Sequence, residues 1–214
     1  MMLRLTLNDR CSLMPWDAID NVVFDVGNVL LRFVPDIILR RVLPEHEADY
    51  PQLKQLIFQG PYWPMMDRGA ITGAEAVMLM SAAQPSMRPL IERVMAGWND
   101  CLDVIDEGVQ ALETCRNHGK RTYALTNYAD APFAETCRKH PDIFAPFDGL
   151  AVSARLRMTK PDPRIYRHVI EAYRLDPERT LFIDDSPINV EAALDAGWQA
   201  VQFGAPGVLS AFIM

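Results

Sequence analysis

The sequence predicts an α/β protein built on a doubly wound parallel sheet. Three observations predict it: short strands alternate with amphipathic helices, the one long break in that alternation is itself helical, and chemistry-bearing residues stand at the ends of successive strands. Four apolar runs rich in β-branched and aromatic residues, 21–26, 121–126, 180–184 and 199–203, have the length and composition of buried strands, and 147–152 is a weaker fifth. Between them the spacing turns helical: Val109, Leu112 and Cys115 fall on one face and stop at Gly119, and Ile165, Val169 and Tyr173 share another. Alternation of this kind requires right-handed crossovers and places helices on both faces of the sheet.

From 35 to 102 strand signals vanish and helical ones follow one another, including the capping box Thr72-Gly73-Ala74-Glu75 ahead of an apolar run. The segment reads as an all-helical insert, leaving 1–34 and 103–214 as the α/β core. An insert placed after the first strand enters at that strand's C-terminal end, the edge where open α/β sheets bind ligands. It is expected to form a lid over a site there; a thickening of the core is the plainer alternative.

Composition narrows the function. A chain of 214 residues, half of them hydrophobic, buries a full core without disulfides or structural metal. Its 28 acidic against 21 basic residues give a net charge of -7, which repels nucleic-acid backbones and anionic lipid, so neither is an expected partner. In residues 1–20, Arg4, Asp9, Arg10 and Asp17 interrupt the apolar positions, so no signal-peptide core or spanning helix is drawn and cytoplasmic residence is expected. Cys11, Cys101, Cys115 and Cys137 lack metal-ligand or C-x-x-C spacing and read as reduced, mostly buried thiols.

The first strand ends on Asp25, a carboxylate whose burial is costly unless something pairs with it. Alone it would be read as a turn former. The second strand ends Thr126-Asn127, placing a hydroxyl and an amide at the same edge, where either could donate to a phosphoryl oxygen. Lys160 lies in Thr159-Lys160-Pro161-Asp162-Pro163, where Asp162 suits a helix N-cap, Pro163 suits the first helical position, and the Pro-flanked turn fixes the ammonium. The fourth strand ends in Asp184-Asp185, adjacent carboxylates that repel unless a cation joins them, and oxygen ligands of this kind suit Mg²⁺. Ser186 and Pro187 read as the N-cap and first residue of the next helix. The topology gathers all of these residues into one crevice.

With those residues in place, the sequence resembles the haloacid dehalogenase superfamily. Its four motifs match Phe24-Asp25-Val26-Gly27-Asn28-Val29, Leu125-Thr126-Asn127, Lys160-Pro161-Asp162-Pro163 and Phe182-Ile183-Asp184-Asp185-Ser186-Pro187-Ile188-Asn189, with a helical cap between the first two. The resemblance implies a Rossmann-like sheet of strand order 3-2-1-4-5 and a Mg²⁺-dependent phosphatase acting on a small phosphorylated metabolite through an aspartyl phosphate. It makes Asp25 the nucleophile and gives Thr126 and Lys160 the phosphoryl group. Asp25 and Asp185 would bind Mg²⁺, aided by Asp184 and the main-chain carbonyl of Gly27, and Asn127 would contact phosphate or substrate.

One position departs from the family pattern. Phosphatases of the superfamily usually carry a second aspartate two residues after the nucleophile, as general acid and then base, and here that residue is Gly27. General acid–base catalysis is worth roughly 10²- to 10⁴-fold, and its loss weighs most on poor leaving groups. The pattern Asp-x-Gly-Asn-Val resembles a branch that includes hexose 1-phosphate phosphatases, whose anomeric oxygen leaves readily. His46 and Asp67 in the helical segment are candidates for a replacement acid. The rival readings are a 2-haloacid dehalogenase-type hydrolase, which the missing tyrosine in the first motif and the retained Asp184-Asp185 pair disfavour, and a catalytically impaired binding protein. A receiver domain is disfavoured by the order of the acids and by the insert. The run Pro61-Tyr62-Trp63-Pro64-Met65-Met66 and Trp98 read as core of the helical segment rather than pocket, and Tyr128 as crevice lining or helix packing. Oligomeric state is not legible.

Overall fold

A computed structural model describes residues 15–204 and Gly207. In chain order the elements are β1 (Asn21–Phe24), β2 (Leu31–Arg32), α1 (Pro35–Val42), α2 (Tyr50–Leu53), α3 (Tyr62–Asp67), α4 (Gly73–Ala83), α5 (Arg88–Gly97), β3 (Asp103–Val104), α6 (Asp106–Asn117), β4 (Arg121–Thr126), α7 (Asp130–Lys139), α8 (Pro141–Phe144), β5 (Gly149–Val152), α9 (Ser153–Leu156), α10 (Pro163–Tyr173), β6 (Thr180–Asp184), α11 (Pro187–Asp195) and β7 (Gln199–Gln202). A π-helical turn, Lys54–Phe58, continues α2, and short 3₁₀ turns fill several joints.

The main sheet has the order β5-β4-β1-β6-β7 and every pairing in it is parallel. Counted among its own five strands, this is the expected order 3-2-1-4-5. Along β1, Val22 and Phe24 face one apolar cluster and Val23 the other, so both faces are covered and the strand reads as a continuous apolar run. The second cluster centres on Tyr166, Phe182 and Trp198, which meet edge to face with ring centroids 5.6 to 5.8 Å apart. The register brings Phe24 level with Ala124 and Ile183, so the next residues of β1, β4 and β6 emerge together at one edge.

Strand β1 stops two residues short of the expected 26 because the Val26 carbonyl is drawn into a tight turn, accepting from the N–H groups of Leu30 and Leu31, each at 2.9 Å. The turn leads into β2, which pairs antiparallel with β3 and so holds the two ends of the helical segment side by side. This pair was not foreseen: two residues per strand carry no readable period. The helices between them have a cluster of their own, with Leu39, Leu53, Ile57, Met80 and Val94 fully buried. The capping box is present, with Glu75 N–H donating to Thr72 Oγ1 at 3.2 Å and Thr72 N–H to the Glu75 carboxylate at 2.7 Å. Asp162 caps α10 by accepting from Arg164 N–H at 2.9 Å. Ser186 occupies the N-cap position of α11 but its hydroxyl makes no capping bond; its N–H instead donates to Asp184 Oδ1 at 2.8 Å.

Helix α6 lies directly on the turn after β1, and a Cβ added at Gly108 would meet the Val29 carbonyl oxygen at 1.9 Å. Both partners are backbone, so neither can rotate away. Gly108→Ala is expected to cost about 3 kcal/mol of stability, the upper end of ordinary overpacking. Urea unfolding reads this directly, and an unchanged midpoint would contradict the packing described. Cys101, Cys115 and Cys137 are free thiols, and Cys11 and most of the 1–20 segment lie outside the described residues. No helix among the described residues is long and apolar enough to cross a membrane.

Candidate active site

The C-terminal ends of β1, β4 and β6 open into a cavity of about 210 Å³. Asp25, Gly27, Thr126, Asn127, Lys160 and Asp185 all line it. Residues up to 160 positions apart in the chain are gathered here: Asp25, Thr126, Asn127 and Asp185 end or immediately follow strands of the parallel sheet, while Gly27 lies in the turn after β1 and Lys160 in the turn before α10. Asp184 lies behind them, with no exposure.

Lys160 is the hub. Its Nζ lies 2.8 Å from Asp25 Oδ1 and 2.7 Å from Asp184 Oδ2, with its side chain 1% exposed. Burial pushes the ammonium toward neutrality, and the two carboxylates more than offset that, holding it above the ordinary lysine range. Its backbone is held as well: Asn127 Nδ2 donates to the Lys160 carbonyl at 2.9 Å and Asn127 Oδ1 accepts from the Lys160 N–H at 2.8 Å. Asn127 thus clamps the lysine backbone, a part the sequence did not disclose.

Asp184 accepts four hydrogen bonds from three donors: Lys160 Nζ, the Ser186 N–H, and Asn189 Nδ2, which is 3.1 Å from each oxygen. Its lone pairs are taken up by the protein. Asp25 accepts from Val26 N–H at 2.7 Å through the same Oδ1 that faces Lys160. Asp185 receives Asn28 Nδ2 at 3.2 Å, and Asn28 is itself held in the left-handed region at φ 54 with Oδ1 accepting from Phe33 N–H at 2.9 Å. Asn tolerates that conformation better than most residues. The positioning roles of Asn28 and Asn189 were missed; both stand inside the quoted motifs, but a single sequence does not say which carboxylate each amide meets.

Asp25, Asp184 and Asp185 can each offer an oxygen within 4.8 Å of the others. Of these three carboxylates, Asp25 and Asp184 contact the Lys160 ammonium and Asp185 does not. Burial, joined by the neighbouring carboxylates and opposed by Lys160, pushes Asp25 up to about 7, and burial with Asp184 raises Asp185. A carboxylate cluster carrying more negative charge than its lysine offsets fits a divalent cation, with Asp25 and Asp185 retaining acceptor capacity.

The helical segment contributes Trp63, Asp67, Trp98 and Leu102 to the cavity wall. Phe33, Trp63, Trp98 and Tyr128 line it and pack in a chain, with ring centroids 5.4 Å apart for Phe33 and Trp63, 5.0 Å for Trp63 and Trp98 and 5.7 Å for Trp98 and Tyr128. Core and pocket were therefore not alternatives for Trp63 and Trp98, while Met66 belongs to the helical cluster. Tyr128 does both things expected of it, lining the cavity and packing on Phe133 of α7 at 5.4 Å. Of the two candidate acids, Asp67 lines the cavity; His46 lies elsewhere, 3.2 Å from Asp49 and 3.6 Å from Glu45.

Fold and site together define an α/β enzyme whose acids, lysine and hydroxyl meet at the strand ends. The haloacid dehalogenase-like hydrolase family model matches residues 19–197, and the chain belongs to that family of hydrolases. It is 27% identical over 175 residues to a sesquiterpene phosphatase of Aspergillus oryzae, covering 82% of this chain and 85% of that protein. A GMP/IMP nucleotidase of Escherichia coli is 37% identical over 99 residues, which span 46% of this chain and 41% of the relative. The crystal structure of a haloacid dehalogenase family enzyme from Bacteroides thetaiotaomicron, in complex with magnesium and inorganic phosphate, superposes with a TM-score of 0.70 at 25% identity, covering 88% of this chain and 96% of that one.

Proposed function

We propose that this hydrolase is a Mg²⁺-dependent phosphatase that cleaves a small phosphomonoester through an aspartyl phosphate on Asp25. The observation that carries the reading is Lys160, buried between Asp25 at 2.8 Å and Asp184 at 2.7 Å beside an open cavity. That arrangement fixes a cation next to a carboxylate and aims both at one small volume. Relatives named as a phosphatase and a nucleotidase, and a neighbour holding magnesium with inorganic phosphate, support it.

In this reading the Asp25 carboxylate attacks phosphorus as the ester oxygen departs. Lys160 and Thr126 hold the phosphoryl oxygens and offset the charge that develops on them. Water then attacks phosphorus, releasing phosphate and restoring Asp25. Asp25, Asp185 and the Gly27 carbonyl would hold Mg²⁺, with Asp184 behind them, and the ion supplies Lewis-acid stabilisation of the phosphoryl charge. Residues 35–102 act as the cap domain on a core of 1–34 and 103–214. The free thiols suit the cytoplasm.

The finer proposal is a sugar phosphate. A cavity of about 210 Å³ lies below the 300–1,000 Å³ usual for drug-sized ligands, leaving room for a phosphoryl group and a body of about sugar size against the aromatic wall. Assayed with Mg²⁺, hexose phosphates are expected to be cleaved faster than mononucleotides or isoprenyl phosphates, and a chelator should abolish turnover until Mg²⁺ is restored. Preference for the bulkier esters would overturn the sugar reading; full activity in chelator would overturn the metal.

A further inference from the structure

Expulsion of an ester oxygen as an alkoxide is slow unless something protonates it, and the water that completes turnover must lose a proton. Among the described residues five titratable side chains line the cavity: Asp25, Asp67, Tyr128, Lys160 and Asp185. On the phosphatase reading, Asp25 is the nucleophile and Asp185 faces the metal. Lys160 is bound between two carboxylates. The Tyr128 hydroxyl donates to Asn99 Oδ1 at 2.6 Å, and burial holds it well above the ordinary tyrosine range. Asp67 remains.

Its place is firmly built. Asp67 is the last residue of α3, whose C-terminus closes as a Schellman motif: Gly69 N–H donates to the Met66 carbonyl and Ala70 N–H to the Met65 carbonyl, each at 2.8 Å. Gly69, at φ 66, lies so close to the core that an added Cβ would meet the Ala154 carbonyl oxygen at 2.4 Å. The Asp67 carbonyl accepts from the hydroxyl of buried Ser153, which in turn accepts from Tyr128 N–H at 2.9 Å. Cap and core therefore meet at this turn, and it sets the Asp67 carboxyl at the cavity. Burial, with the Asp25 charge adding to it, raises that carboxyl to about 8, so it carries its proton at neutral pH.

We infer that Asp67 is the acid–base residue of the reaction, serving from the cap the role for which Gly27 offers no side chain. The inference rests on the phosphatase reading. As Asp25 bonds to phosphorus and the phosphorus–oxygen ester bond breaks, the Asp67 carboxyl gives its proton to the departing oxygen, which leaves as an alcohol. The Asp67 carboxylate then takes a proton from the water attacking the aspartyl phosphate, releasing phosphate and returning both side chains to their starting states.

The test compares Asp67→Asn with the parent on an alkyl phosphate and on p-nitrophenyl phosphate, whose leaving group needs no proton, with Mg²⁺ present. On the alkyl ester the variant should lose about 10²- to 10⁴-fold in kcat. On the aryl ester it should still release one equivalent of nitrophenol in a burst and then stall at the phosphoenzyme. A second variant, Gly27→Asp with Asp67→Asn, should recover turnover, since a Cβ at Gly27 meets nothing within 4 Å and an acid there can reach the same oxygen. With a working parent, equal losses on both esters without a burst, or no loss at all, would overturn the assignment alone. A parent that cleaves neither ester would overturn the phosphatase reading and this assignment with it.

Discussion

Replacing Asp25 with Asn is expected to lower phosphatase turnover by roughly 10⁴-fold or more, the scale on which removal of a covalent nucleophile acts. The amide keeps the shape of the carboxylate but cannot form the phosphoryl bond. The protein should remain folded, because Lys160 keeps Asp184 at 2.7 Å and the cluster loses one of three mutually repelling carboxylates. Metal-free Asp25→Asn is therefore expected to melt no lower than the parent. Phosphate release and a thermal melt on the same preparation separate lost chemistry from lost structure. Turnover within tenfold of the parent would remove Asp25 from the reaction.

Lys160→Ala should damage both stability and activity. Without the ammonium, Asp25 and Asp184 are left with side chains 11% and 0% exposed and no compensating cation. Breaking a buried ion pair from one side costs about 3–5 kcal/mol, because the surviving charge keeps its desolvation penalty. Asp184→Asn should recover part of that stability when combined with Lys160→Ala, since it removes one stranded charge, while activity stays low. Loss of the fixed cation should lower kcat by about 10²- to 10³-fold, as for other preorganised electrostatic contacts. A double-mutant cycle in urea, run without metal, reads the coupling. A stability loss under about 1 kcal/mol in Lys160→Ala would mean the pair is far more hydrated than its burial implies.

Much of this architecture was legible because it rests on local signals. Buried parallel strands must be apolar on both faces, so Val22, Val23 and Phe24 announced β1 before any contact was known. Alone each would be an ordinary turn former, but Asp25, Thr126 and Asp184-Asp185 all stand at C-terminal strand ends, and a parallel sheet brings those ends to one edge. What could not be read depends on long-range contact. The Ser153 hydroxyl reaches the Asp67 carbonyl across 86 positions, and the Schellman turn at Gly69 does not disclose that the Ala154 backbone packs against it. Asp67 was therefore no better a candidate than His46 until the fold placed one in the cavity and paired the other with Asp49. The amides Asn28, Asn127 and Asn189 show the same limit: their presence was visible, but which atom each holds is a property of the assembled site.

Covalent attack by Asp25 leaves a phosphoenzyme that can be trapped. Turnover of a phosphate ester with Mg²⁺ is quenched in acid, the acyl phosphate is reduced with borohydride, and the peptide containing residue 25 is analysed by mass spectrometry. Homoserine is expected at position 25, more of it in Asp67→Asn than in the parent, and none in Asp25→Asn. Unmodified Asp25 in enzyme that is releasing phosphate, or reduction at a different carboxylate, would contradict attack by Asp25.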